Sequence, residues 1–123
     1  MGRVYLTSEF TFDAAHRLLD YEGKCSQMHG HTYRLQVTVC GIPDLVTGIL
    51  IDFCELKDLV NKNIIDIVDH ANLSDLFVIN TTAEKLCVWA WGVLKPLLPD
   101  DVRLDEIKLW ETPTCHATYR GGN

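Results

Sequence analysis

The sequence predicts an α+β domain: an antiparallel four-stranded sheet in ββααββ order with two helices on one face. Three features carry that prediction. Apolar and polar residues alternate over 3–16 and 31–40, apolar residues recur at helical spacing over 56–68 and 83–97, and alternation returns over 102–112. The 123 residues suffice for one domain, 1–123, and contain no internal linker or low-complexity stretch.

In the first strand Val4, Leu6, Phe10, Phe12 and Ala14 share one parity, and Thr7, Glu9, Thr11 and Asp13 the other. His16 has the parity of the apolar set, so without a bulge it faces the core side. A polar loop, Leu18 to Gln27, follows. The second strand sets Tyr33, Leu35, Val37 and Val39 against Thr32, Arg34, Gln36 and Thr38, and His31 shares the apolar parity.

Gly41 to Gly48 reads as a turn, and Asp52 with Glu55 as a capping box that opens a helix. Leu56, Leu59, Val60, Ile64, Ile67 and Val68 form its apolar stripe, which places Asp69 and His70 at or just past its end. A second capping box, Thr81 to Glu84, opens a helix with Ala83, Leu86, Cys87, Ala90, Val93, Leu94 and Leu97 on its buried side, ending near Pro96 and Pro99. In the third strand Ile107 and Leu109 have the parity of Glu111. Thr112-Pro113-Thr114 breaks the chain before a short last strand from Cys115 to Tyr119, and Arg120 to Asn123 form a tail. A lone sheet of this kind leaves open edges, so association through strand pairing is expected.

The net charge of −6 and the absence of a basic stripe argue against a nucleic-acid binder. No apolar run approaches the roughly 20 residues that span a bilayer, and the first residues lack the apolar segment of a signal peptide, so a cytoplasmic protein with no membrane partner is expected. Five cysteines without CxxC spacing fit a reducing compartment rather than a disulfide framework. An anionic substrate would need local cations, for which Arg17, Lys24, Arg34 and Arg120 are the candidates.

The informative residues lie in Cys25-Ser26-Gln27-Met28-His29-Gly30-His31. On an extended segment His29 and His31 point to the same side and can share one metal ion, and His16 supplies a third imidazole. Three neutral nitrogens leave zinc a fourth position for water or substrate. His-Gly-His is also compatible with an ordinary polar turn, and Cys25 with a small buried hydrophobe. Three imidazoles on the covered side of a sheet are better explained by one common ligand than by three separate partners.

Taken together, the motifs Phe12-Asp13-Ala14-Ala15-His16-Arg17-Leu18, Cys25 followed after three residues by His29-Gly30-His31, Asp52-Phe53 ahead of Leu56-Lys57, Asp69-His70 with Leu73, Thr82-Ala83-Glu84, and Trp110-Glu111-Thr112-Pro113-Thr114 resemble the 6-pyruvoyltetrahydropterin synthase family over nearly the whole chain. The 6-carboxytetrahydropterin synthase branch is the more similar. The resemblance implies a T-fold (tunnelling fold) subunit, trimers that close a β-barrel and stack into a homohexamer, and active sites at subunit interfaces.

It further implies His16, His29 and His31 as ligands of Zn2+, Cys25 as catalytic base, Asp69 with His70 as a proton relay, and Glu111 as the anchor of the pterin ring. Thr82 and Glu84 are further pterin contacts by resemblance, although the helix-start reading competes for them. The alternative for Asp69-His70 is a simple helix C-terminus, where histidine is often found. The implied reaction converts dihydroneopterin triphosphate to 6-carboxytetrahydropterin with release of acetaldehyde and triphosphate, toward queuosine-type deazapurine precursors. The competing expectations are the biopterin branch, which eliminates triphosphate and keeps the three-carbon side chain, a zinc-stabilised assembly module in which Cys25 is a fourth ligand, and a pterin-binding sensor without turnover.

Overall fold

The computed structural model describes residues 2–19 and 21–122, so the expectations for Met1, Asp20 and Asn123 lie outside the described residues. The two predicted amino-terminal strands are β1 (Val4–His16) and β2 (His29–Gly41), joined antiparallel along their whole length from Val4↔Gly41 to His16↔His29. Ser8, Phe10, Phe12, Ala14 and His16 of β1 are buried while their odd-numbered neighbours through Asp13 are exposed, as period-two alternation demands. The loop between the strands contains a short 3-10 turn, Lys24–Ser26, in which Leu18 N–H donates to the Cys25 carbonyl at 2.8 Å.

Asp52 caps α1 (Phe53–Val60) by accepting from Cys54 N–H at 2.7 Å. The first predicted helix is not continuous: a π-helical turn, Asn61–Ile65, separates α1 from α2 (Asp66–Val68). The wider turn shifts the helical phase. Ile65 is thereby buried and Ile67, expected in the apolar stripe, stands exposed. The chain then forms β3 (Ala71–Asn72), the single turn α3 (Leu73–Leu76) and α4 (Ala83–Leu94). The cap of α4 is Thr82, whose hydroxyl accepts from Lys85 N–H at 3.2 Å, one residue later than the expected Thr81. β4 (Arg103–Thr112) and β5 (Cys115–Tyr119) follow the predicted bounds closely.

The sheet therefore has five strands in the order β3-β1-β2-β4-β5, where four were expected. The added strand is a two-residue parallel pairing of Ala71 and Asn72 with Ala14 and Ala15, too short to produce an alternation signal. The four long strands are antiparallel. One continuous core, built on Tyr33, Leu35, Val37, Leu56, Val60, Leu86, Leu94 and Ile107, fills the space between the sheet and the helices on its one covered face.

Candidate active site

The strand pairing that joins β1 to β2 sets His16 directly opposite His29, and His31 lies two residues further along the same face. The three rings meet with centroids 4.7 Å (His16–His29), 4.8 Å (His29–His31) and 5.3 Å (His16–His31) apart. One ligating atom from each falls within 4.8 Å of the other two. His16 Nδ1 is 2.8 Å from the Thr81 carbonyl and His29 Nδ1 is 2.8 Å from the Gln27 carbonyl. A carbonyl only accepts, so both Nδ1 atoms carry a proton, and in the neutral ring the lone pair falls on Nε2.

Burial lowers the pKa of His16 and of His31 below the ordinary imidazole value, against the opposing pull of the Glu111 carboxylate on both and of the Thr81 carbonyl on His16. The neutral ring is the form that ligates a metal. His31 Nε2 is buried and has no hydrogen-bond partner. An unpaired buried nitrogen facing two further lone-pair nitrogens fits a cation that all three would share. Tyr33, fully buried and stacked on Phe12 with centroids 4.8 Å apart, closes the inner side with its hydroxyl 3.5 Å from His16 Nε2. Burial raises its pKa and keeps the phenol protonated.

Glu111 enters from β4, with Oε1 3.5 Å from His16 Nε2 and 3.8 Å from His31 Nε2. It lines a cleft of about 460 Å³ whose other walls include His31, Thr32, Arg34, Trp110 and Thr112. The cleft opens where β2 and β4 part, since their pairing ends at Arg34↔Trp110 while both strands continue. A second hollow, of about 480 Å³, lies on the other side of Gly30, His31 and Thr32 and is edged by Asp13 and His70.

Asp69 and His70 do contact each other, with Asp69 Oδ1 3.1 Å from His70 Nδ1. His70 holds a left-handed backbone, φ 59°, a conformation uncommon outside glycine and concentrated at functional sites. Asp13 fixes both residues: its N–H donates to Asp69 Oδ1 at 3.0 Å and its carbonyl accepts from His70 N–H at 2.6 Å. Chiefly through the Asp13 N–H, the Asp69 carboxyl is held below the usual carboxylate range.

Residues 5–122 match the model of the 6-pyruvoyl tetrahydropterin synthase family. The chain belongs to that family. It is 36% identical to a 6-carboxy-5,6,7,8-tetrahydropterin synthase of Haemophilus influenzae, over 94% of this chain and 97% of the relative. It is also 36% identical to a 6-pyruvoyl tetrahydrobiopterin synthase of Drosophila melanogaster, over 96% and 80% of the two chains, and to a dihydroneopterin monophosphate aldolase of Pyrococcus furiosus, over 82% and 83%. The solved 6-pyruvoyl tetrahydropterin synthase of Caenorhabditis elegans superposes with a TM-score of 0.90 at 28% identity and covers 99% of this chain and 98% of that one. The protein is thus an enzyme of the tetrahydropterin synthase family with its T-fold.

Within this family member the Glu111 cleft and the hollow edged by His70 share one stretch of β2, residues 30–32. Cys25 is half-buried in the turn before that strand, and its thiol is not a member of the three-histidine group. Thr82 is engaged in capping α4, Glu84 is exposed on its first turn, and neither lines the two hollows beside His31. Of the candidate cations, Arg34 stacks over Trp110 at 3.9 Å and Arg120 pairs with Glu106 at 2.7 Å.

Two residues of the site escape the sequence pattern. Thr81, buried, supplies the carbonyl that orients His16; the Thr-Thr doublet signals only that one of the pair is a helix cap. Thr112 borders the Glu111 cleft, although its place beside proline marks it as a strand end.

Proposed function

We propose that the protein is a zinc-dependent lyase that converts dihydroneopterin triphosphate, with water, to 6-carboxytetrahydropterin, acetaldehyde and triphosphate. The observation that carries the proposal is the juxtaposition of a three-imidazole group, including the unpartnered His31 Nε2, with the carboxylate of Glu111 in one cleft. Zinc held by His16, His29 and His31 would act as a Lewis acid on the oxygens of the substrate side chain and acidify the adjacent C–H.

The chain's own groups then have distinct tasks. Glu111 accepts two parallel hydrogen bonds from the 2-amino group and N3–H of the ring, the geometry in which a carboxylate holds a guanidinium. Cys25 takes the proton from the side-chain carbon, for which the thiolate is the competent form. His70, held against Asp69 on the edge of the neighbouring hollow, serves as the proton relay. Reduction of the ring is matched by oxidation of the side chain, so the electrons balance within the substrate.

The carboxy-forming branch is supported by the short interval between Cys25 and His29, by Trp110-Glu111-Thr112-Pro113-Thr114, and by the nearly full-length match to the Haemophilus synthase. The pyruvoyl-forming reaction is the second reading, favoured by equal identity to the Drosophila synthase. Mass spectrometry of the products after incubating zinc-loaded protein with dihydroneopterin triphosphate separates them. We expect 6-carboxytetrahydropterin with acetaldehyde. A 6-pyruvoyl product would move the enzyme to the biopterin branch, and no turnover at full zinc occupancy would favour a sensor or an assembly module. The same reading places the enzyme in the cytoplasm as a homohexamer with sites shared between subunits.

A further inference from the structure

Among the described residues, two buried side-chain polar atoms have no hydrogen-bond partner, His31 Nε2 and Thr112 Oγ1, and both residues line the Glu111 cleft. The metal reading accounts for the first and leaves the second. A buried hydroxyl without a partner is costly in a folded protein and marks a place where something else supplies the bond.

The backbone explains how Thr112 comes to border the same cleft as Glu111. β4 pairs Trp110 with His116 and then Thr112 with Cys115, so Glu111 is an extra residue in a β-bulge. In a regular strand Thr112 would point to the opposite face from Glu111. A bulge re-aims side chains, and here both consecutive residues border the same cavity.

We propose that Thr112 is a second ring-reading residue of the active site, its hydroxyl donating a hydrogen bond to the substrate acceptor next to the edge held by Glu111. The inference rests on the pterin reading above. The ring edge that a carboxylate recognises consists of two donors, the 2-amino group and N3–H. The atoms flanking it, N1 and the 4-oxo oxygen, are both acceptors. A carboxylate cannot serve an acceptor, whereas a threonine hydroxyl can donate to either one. Glu111 and Thr112 together therefore match the two adjacent donors and one flanking acceptor of a 2-amino-4-oxo ring, and the bulge brings both residues to the same cavity.

The test is the binding of neopterin to zinc-loaded wild type, Thr112→Val, Thr112→Ser and Glu111→Gln, followed by pterin fluorescence, with melting temperatures of the ligand-free proteins measured in parallel. Thr112→Val should weaken neopterin binding about tenfold, the scale of one hydrogen bond lost to a buried acceptor. Thr112→Ser should restore it. The ligand-free valine variant should melt at or above the wild-type temperature, because it loses no internal partner.

Unchanged neopterin affinity in Thr112→Val, with binding lost in Glu111→Gln, would overturn the role of Thr112 and leave the pterin reading standing. A lower melting temperature of the ligand-free valine variant would also overturn it, by showing that the protein itself occupies the hydroxyl. Failure of wild type to bind neopterin at all would overturn the pterin reading and this inference with it.

Discussion

Cys25 and His29 are four residues apart, yet their replacement should have separate consequences. His29 contributes one of three convergent nitrogens, so His29→Ala removes a ligand and zinc content should collapse. Cys25 lies outside that group, so Cys25→Ala should retain zinc and fold while turnover falls by roughly 10²- to 10⁴-fold, the range for a lost general base. Metal analysis by mass spectrometry beside steady-state rates reads both. Full activity in Cys25→Ala would remove it from the mechanism, and loss of zinc in the same variant would revive the fourth-ligand alternative. Much of this site is legible in sequence because strand parity is a local property. His16 and His31 share the parity of buried neighbours, and the structure sets both on the covered side. The left-handed backbone of His70 is not legible, since it depends on hydrogen bonds to Asp13, 57 residues earlier in the chain.

At the scale of elements, what escapes the sequence is where regular repeats slip. Hydropathy reports which residues are apolar but not where an extra residue is inserted, and three insertions matter here. The π turn at Asn61–Ile65 exchanges Ile65 for Ile67 in the core. One bulge in β4 falls between the pairs Thr38↔Glu106 and Val39↔Leu104, so Leu104 and Ile107 are both buried despite opposite parity. The other, at Glu111, brings Thr112 to the cleft. The start of α4 shows a slip of a different kind: both threonines at 81 and 82 suit a cap, and tertiary contact decides between them. Thr81 turns inward to His16, so Thr82 takes the cap. Thr82→Ala should therefore lower unfolding free energy by about 1 kcal/mol, with Thr82→Asn recovering most of it, as urea denaturation would register. An unchanged midpoint in the alanine variant would mean that Lys85 N–H finds another acceptor and that the cap contributes nothing.

For the whole molecule the decisive fact is that the sheet ends on two open edges. Among the described residues, β3 covers only Ala14 and Ala15, which leaves the rest of β1 unpaired on that side, and β5 is paired with β4 alone. Open edges invite pairing with another chain, and no proline interrupts either strand. Joining the β1 edge of one copy to the β5 edge of the next is a head-to-tail contact, which generates a ring when the rotation closes. A closed sheet has no edges left to protect. The face of the sheet away from the helices suits such an interior, because it is lined by polar pairs such as Thr7 with Thr38 at 2.8 Å and Gln36 with Glu9 at 2.8 Å. Exposed apolar side chains elsewhere, Val78 and Leu45 with Val46, offer further contact area. On the proposed homohexamer, native mass spectrometry should report six chains, and turnover per chain should fall on dilution below the dissociation range if subunits share each active site. A monomer that sustains full turnover at all dilutions would show that one chain carries a complete site, and the open edges would then require protection of another kind.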